Sequence, residues 1–174
     1  VVGPDSFLEV AEEAGLLQQV DDAVLRDACL QMSQWATSRD GFTPRLSVNV
    51  SAASLADPHL KDRVQQVLLD TGFPPRNLYL EITETTLVED VSSASTNISA
   101  LEKLGIRLAI DDFGTGYSSL SYLKRFPVGI LKIDRSFVDG LGSSSEDEII
   151  VETVIQMACS LGLEVVAEGV ETHQ

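Results

Sequence analysis

The sequence predicts an α/β fold with mostly parallel strands and outer helices. Two observations point to it: short β-rich runs alternate with helical runs, and side chains within the β-runs alternate between an apolar face and a polar face. Strand–helix–strand units that recur at roughly thirty-residue intervals are typical of a parallel sheet. The 174 residues suit a single domain, because roughly 100–200 residues make one.

Five β-rich runs define the predicted strands: Leu46–Ser51, Leu78–Thr83, Arg107–Asp112, Gly129–Asp134 and Glu164–Glu168. Apolar stripes at helical spacing predict helices between them: Leu60, Val64, Val67 and Leu68, then Ile98, Leu101 and Leu104, then Ile150, Val154, Met157, Ala158 and Leu161. Between the third and fourth runs only Ser118–Phe126 is available as a helix, and Pro127 ends it. Ser145 and Glu148 have the spacing of a capping box and predict a helix start.

Composition excludes several classes of protein. Acidic residues number 27 and basic residues 12, a net charge of −15. This charge argues against a DNA-binding or anionic-membrane-binding protein, because contact with a phosphate backbone needs a positive surface. A small phosphate-bearing ligand stays possible, since clustered carboxylates hold divalent cations and the cations then hold the phosphate.

The membrane and redox signals favour a cytoplasmic location. No run approaches about 18 consecutive apolar residues, so we expect no transmembrane segment in the chain. No secretion signal is visible at the start, although a longer parent protein could still be membrane-tethered. Cys29 and Cys159 lie in helix-like apolar stretches, and two buried free thiols in a reducing compartment are the simplest interpretation.

The polar residues at the strand ends carry the functional signal. They are Asn49, Glu81, Asp111, Asp112, Lys132, Asp134 and Glu168. In a parallel sheet all carboxyl ends lie on one edge, which is where α/β folds place their ligands. A single such acid is usually a helix cap or a solvated charge. Asn49–Ser51 could simply cap the next helix, and Lys132 with Asp134 could be a surface ion pair worth about 0–1 kcal/mol.

Alternation within the strands favours a barrel over an open doubly wound sheet. Leu78, Leu80 and Ile82 share one face of their run, and Tyr79, Glu81 and Thr83 share the other. An open sheet covered on both faces prefers continuous apolar runs, whereas a polar inner face fits the mouth of a barrel. We therefore expect a TIM-like (β/α) barrel, with the open sheet as the alternative.

Several carboxylates in one mouth repel one another and need a neutralising cation. Hard oxygen ligands select Mg²⁺, Mn²⁺ or Ca²⁺. Asp111 and Asp112 are adjacent, so one could bridge two ions while the other serves the second, as in two-metal phosphodiester hydrolysis. Gly114 and Gly116 follow at once and allow a loop that approaches a ligand closely.

These segments resemble the EAL domain family of cyclic di-GMP phosphodiesterases. The matching motifs are Asn49-Val50-Ser51, Glu81-Ile82-Thr83-Glu84, Asp111-Asp112-Phe113-Gly114-Thr115-Gly116, Lys132-Ile133-Asp134 and Ala167-Glu168-Gly169-Val170-Glu171. The match runs nearly end to end in order and spacing. It implies a TIM-like barrel and metal-dependent hydrolysis of cyclic di-GMP to the linear dinucleotide pGpG, with two Mg²⁺ or Mn²⁺ ions.

The resemblance also implies roles for individual residues. Asn49, Glu81 and Asp111 would ligate one metal, Asp111 and Asp112 the second, and Glu168 a metal or its water. Lys132 would orient or activate the attacking water. Glu84 would brace the loop after Gly114, and the region after Asp112 resembles the family's homodimer surface. Asp134 and Glu171 would support the ligands or the fold.

Two departures from the family pattern limit the expectation. The chain begins after the position of the Glu-Ala-Leu motif and ends at Gln174, before the family's Gln-Gly pair. Residues 1–174 are therefore expected to be a single partial domain of a multidomain regulator, without the first signature strand and the last strand or strands. Such a chain would be impaired as an enzyme. The alternatives are an inactive cyclic di-GMP receptor or protein-interaction module and, less favoured, a phosphoacceptor receiver domain.

Overall fold

A computed structural model describes residues 3–38, 42, 44–89, 91–116, 123 and 125–171. The strands are β1 (Leu46–Asn49), β2 (Leu78–Thr83), β3 (Arg107–Phe113), β4 (Val128–Ile133) and β5 (Glu164–Ala167). The α-helices are α1 (Leu8–Glu13), α2 (Leu17–Ser38), α3 (Ala52–Ala56), α4 (Leu60–Thr71), α5 (Glu84–Glu89), α6 (Val91–Lys103), α7 (Arg135–Asp139) and α8 (Ser145–Leu161). Short 3₁₀ turns cover Pro4–Ser6 and Pro75–Asn77.

The five strands form one parallel sheet in the order β1-β2-β3-β4-β5. Every described strand thus pairs with its neighbours in sequence, and helices connect β1 to β2, β2 to β3 and β4 to β5. This is an incomplete (β/α) barrel, open between β1 and β5, and it confirms the predicted fold class. All five predicted strands are present, with ends that differ by at most two residues from the predicted runs.

The two faces of the sheet have separate cores. On the outer face, Leu78, Leu80 and Ile82 of β2 pack with the helices in the main cluster and are almost fully buried. Burial of one such side chain contributes about 1.5–3 kcal/mol, so this face accounts for much of the stability. On the inner face, Tyr79, Ala109 and Ile130 form a second, smaller cluster. The polar groups of the strand ends lie on this inner face, beyond that small cluster.

Two irregularities interrupt the pairing of β3 with β4. The register shifts once between Leu108 and Ala109, where Gly129 is the additional residue of β4, and again between Ile110 and Phe113. A Cβ atom at Gly129 would lie 2.9 Å from Cε1 of Tyr79, so glycine lets the tyrosine ring cover the strand. The second shift is a β-bulge at Asp111 and Asp112, and it redirects these side chains at the strand end.

The helices follow their apolar stripes. Leu60, Val64, Val67 and Leu68 are buried along α4, as the spacing predicts. The start of α8 differs by one residue from the prediction: Ser144, not Ser145, is the capping residue, and its hydroxyl accepts the N–H of Asp147. The predicted helix over Ser118–Phe126 falls mostly outside the described residues.

The two cysteines differ, which corrects the expectation that both are buried. Cys29 is fully buried in α2, and burial raises the pKa of its thiol to about 11. Cys159 is exposed on α8, whose buried residues are Val151, Val154 and Ala158. Neither forms a disulfide.

Within the described part of the chain, no helix has the length and apolar character needed to cross a bilayer.

Candidate active site

Parallel pairing brings the polar residues at the strand ends together. Asn49, the last residue of β1, pairs in register with Glu81 on β2. Thr83 pairs with Asp111 on β3, so Glu81 and Asp111 lie near one another on the same edge of the sheet. Glu168 follows β5 directly, and its backbone N–H donates to the carbonyl of Ile133 at 3.2 Å. The ends of four strands therefore bring side-chain oxygen atoms to one edge of the sheet, the mouth of the incomplete barrel.

Lys132 lies at the centre of this mouth. Its ammonium nitrogen Nζ is 3.0 Å from Oε2 of Glu81, 2.9 Å from Oδ1 of Asp111 and 2.6 Å from Oε1 of Glu168. The Lys132 side chain is only 14% exposed. An ammonium has three N–H donors, so each carboxylate can accept one of them. The sequence analysis also allowed a surface ion pair between Lys132 and Asp134, and this interpretation is therefore wrong.

The surroundings of Lys132 determine its charge. Burial by itself would lower the pKa of this lysine, because it disfavours the charged form. Hydrogen bonds to Glu168, Asp111 and Glu81 outweigh that effect and raise the pKa above its usual value. The side chain is thus a fixed ammonium ion at physiological pH.

Asp112 occupies an unusual backbone position in the bulge. Its φ angle is +52°, in the left-handed region that non-glycine residues rarely adopt. Its backbone N–H donates to Oδ1 of the preceding Asp111 at 3.2 Å. In a regular strand two adjacent side chains point to opposite faces, whereas the bulge brings both carboxylates toward the same mouth.

Burial raises the pKa of Asp112, and the carboxylates of Asp111, Asp134 and Glu168 raise it further. Asp134 shows the opposite shift, since hydrogen bonds from Ser136 lower its pKa. That carboxylate is the N-terminal cap of α7 and accepts the backbone N–H of Ser136 at 2.9 Å. Asp134 thus has a structural partner, whereas Asp112 lacks a cation of its own among the described residues.

The acidic cluster fits a divalent cation. One carboxylate oxygen from each of Asp111, Asp112 and Glu168 lies within 4.8 Å of the other two, and all three residues are half-buried. Carboxylate oxygens are the ligands that Mg²⁺, Mn²⁺ and Ca²⁺ prefer. Glu81 is linked to Asp111 and Glu168 of this cluster, because all three carboxylates pair with Lys132.

The glycine-rich loop is held by a buried carboxylate. Glu84, which is 5% exposed, accepts the backbone N–H of Gly114 at 3.1 Å. Gly114 has φ +103°, and a Cβ atom there would lie 2.9 Å from Cε2 of Phe137. Gly116 also lies against Glu84, because a Cβ atom added at Gly116 would be 3.3 Å from the carboxyl carbon of Glu84. The contacts of Glu84 with both glycines fix the loop beside the mouth.

Glu171 lies apart from the cluster. Its carboxylate pairs with Arg135 at 3.2 Å, and both side chains are more than half exposed. Arg135 also pairs with Asp139 within α7. Gly169 permits this arrangement, because the Arg135 side chain lies where a Cβ would be. The predicted dimer region after Asp112 falls partly outside the described residues, which omit 117–122.

One supporting residue was not predicted from the sequence. Asp21 on α2 accepts hydrogen bonds from the N–H of Ser51, at 3.0 Å, and from the hydroxyls of Ser51 and Ser54, at 2.7 and 2.6 Å. It thereby anchors the start of α3, directly after the strand that ends at Asn49. An aspartate in a long helix has no periodic signal that would reveal this contact.

A parallel α/β sheet with an acidic mouth and a central lysine defines a candidate metal-binding hydrolytic site. A family model described as EAL domain matches residues 1–174. The chain belongs to the EAL domain family, which confirms the resemblance seen in the sequence.

Relatives from Pseudomonas aeruginosa match nearly the whole chain. The bifunctional diguanylate cyclase/cyclic di-GMP phosphodiesterase MucR is 41% identical over 173 residues, which are 99% of this chain and 25% of MucR. The cyclic di-GMP phosphodiesterase NbdA is 42% identical over 174 residues, which are 100% of this chain and 22% of NbdA. The chain thus spans about a quarter of the length of these curated relatives.

A solved structure shares the fold closely. The MucR phosphodiesterase in complex with cyclic di-GMP superposes with a TM-score of 0.92 at 41% identity. The match covers 99% of this chain and 69% of that one.

Proposed function

We propose that this chain is the catalytic portion of a metal-dependent phosphodiesterase that hydrolyses cyclic di-GMP to linear pGpG. The observation that carries the proposal is the convergence of Glu81, Asp111 and Glu168 on Lys132 in one partly buried mouth. The names of MucR and NbdA and the cyclic di-GMP in the MucR structure support the choice of substrate.

The carboxylates would hold two Mg²⁺ or Mn²⁺ ions. By the family motif, Asn49, Glu81 and Asp111 would contribute to one ion, Asp111 and Asp112 to the other, and Glu168 to an ion or its water. When bound, such ions polarise a phosphoryl oxygen and lower the pKa of water. The half-buried cluster of Asp111, Asp112 and Glu168 supports this donor set.

The other residues would bind and orient the substrate. Lys132 brings a positive charge to the mouth, where a phosphate with its negative charge must enter. Glu168 can accept a proton from a water molecule on the same side, because its carboxylate is the most exposed of the three around Lys132, at 32%. The Gly114–Gly116 loop, held by Glu84, would close one side of the site.

Product formation tests the proposal. The chain, and a version lengthened at both ends to the span of the MucR phosphodiesterase domain, are incubated with cyclic di-GMP and Mn²⁺, and pGpG is measured by chromatography. We expect pGpG from the lengthened form, and none when Glu81 is changed to glutamine. A matched control is Glu102→Gln, far from the mouth on α6, which should retain activity.

The same experiment separates the receptor alternative. Tight cyclic di-GMP binding by the lengthened form, with no pGpG under any divalent metal, would identify a receptor and contradict the proposed reaction. A homodimer through the region after Asp112, further domains in the parent protein and a cytoplasmic location remain proposals. Sedimentation of the lengthened form, with and without cyclic di-GMP, tests the dimer.

A further inference from the structure

We infer that the Lys132 ammonium is the resident counter-ion of the carboxylate mouth, and that it must leave these carboxylates when a divalent cation binds. The inference rests on the metal site of the proposed function and adds a step to it. Lys132 would then control metal affinity, in addition to any contact it makes with substrate.

The geometry around Nζ is that of a bound cation. Carboxylates from β2, β3 and the end of β5 surround one nitrogen at 3.0, 2.9 and 2.6 Å. In the described part of the chain, Lys132 is the cation that forms ion pairs with Glu81, Asp111 and Glu168. The lysine therefore offsets part of the repulsion within a group of three carboxylates.

The ammonium and a metal ion would compete for the same ligands. Asp111 and Glu168 are partners of Lys132, and both also belong to the cluster whose oxygens lie within 4.8 Å of one another. A dication bound between these carboxylates would lie close to Nζ, and like charges at contact distance repel strongly in a partly buried site. The flexible four-carbon stem of lysine allows the ammonium to withdraw while its backbone stays in β4.

Metal affinity of a charge-removing variant tests the exchange. Mn²⁺ binding to Lys132→Met is measured by titration calorimetry and compared with the unaltered protein. We expect at least about tenfold tighter binding, because the variant has no competing cation and its mouth is one charge more negative. Lys61→Met is the matched control, since it removes the same charge at an exposed site and should bind Mn²⁺ as the unaltered protein does.

A second measurement covers the case in which Lys132→Met fails to fold without metal. The chain has only four lysines, so ¹⁵N-lysine spectra of the unaltered protein are simple. An ammonium held by three carboxylates exchanges slowly with water and should give its own signal, absent in Lys132→Arg. Addition of Mg²⁺ should remove or shift this signal and leave the other lysine signals unchanged.

The outcomes separate the inference from the function on which it rests. Equal or weaker Mn²⁺ binding by folded Lys132→Met, or an ammonium signal that stays unchanged at saturating Mg²⁺, would overturn the exchange while the metal site stands. Absence of divalent-cation binding in both the unaltered protein and Lys132→Met would overturn the metal site and the exchange together.

Discussion

The ammonium nitrogen of Lys132 lies 2.6 Å from Oε1 of Glu168, although the two residues belong to different strand ends. Lys132 pairs in register with Val166, and Glu168 lies two residues further along on the same face. The backbone bond from Glu168 to Ile133 continues the pairing past the end of β5 and fixes the position of this carboxylate. The parallel register, not a local motif, thus produces the central contact of the mouth.

Asp111→Asn should abolish most of the hydrolysis of cyclic di-GMP by the lengthened form. Asp111 takes part in both the Lys132 contact and the acidic cluster, and an amide is a poorer ligand than a carboxylate. We expect a loss of about 100-fold or more in kcat/KM, measured as pGpG formation at fixed Mn²⁺. Asp62→Asn is the control, because its side chain is 71% exposed. Full activity of Asp111→Asn would remove this residue from the site.

Gly114→Ala should destabilise the loop beside the mouth. The new methyl group would lie 2.9 Å from the Phe137 ring, and the φ of +103° is strained for alanine. We expect a loss of about 2–4 kcal/mol in the free energy of unfolding, measured with urea. Gly142→Ala separates the two causes: its φ is +78° but nothing lies within 4 Å, so it should cost only about 1–2 kcal/mol. Equal losses in both variants would contradict the contact with Phe137.

Asp21→Ala should destabilise the junction between β1 and α3. Three donors lose their acceptor, and one of them is the hydroxyl of Ser54, which is fully buried. An unsatisfied buried polar group costs about 1–3 kcal/mol, so we expect a loss of this size in urea unfolding. Asp27→Ala on an exposed part of the same helix should change stability by less than about 0.5 kcal/mol. Similar values for the two variants would show that the hydrogen bonds of Asp21 add nothing.

Asp112→Asn should stabilise the metal-free protein at neutral pH. Burial and the neighbouring acids raise the pKa of Asp112 in the folded state above its unfolded value of about 3.9. The folded state therefore binds more protons in this range, and its stability falls as pH rises through the raised pKa. Asparagine has no charge to bury, so it avoids this loss of stability at neutral pH, and it still tolerates the left-handed φ of +52°.

Thermal unfolding with a metal chelator checks the sign of this effect. The Tm of Asp112→Asn should exceed that of the unaltered protein at about pH 7.5, and the difference should shrink as the pH falls through the raised pKa of Asp112. Saturating Mg²⁺ should reverse the order, because a dication favours the charged carboxylate. A Tm difference that is independent of pH would contradict the raised pKa.

The sequence by itself determined the positions of the strands, their inward and outward faces and the set of acids at the strand ends. These features follow from local periodicity and from the rule that parallel strands share one carboxyl edge. The burial of Leu80 and Ile82 and the position of Glu81 confirm that reasoning. The family motifs then pointed to the same residues.

Only the tertiary structure decided which of these residues touch. Lys132 meets Glu81, 51 positions away in the chain, and Asp21 meets Ser51, 30 positions away. The left-handed turn at Asp112 arises from a bulge between two paired strands, and the exposure of Cys159 from how α8 lies on the sheet. Residue periodicity describes one segment at a time, whereas these contacts depend on how distant segments align and pack, so no local pattern encodes them.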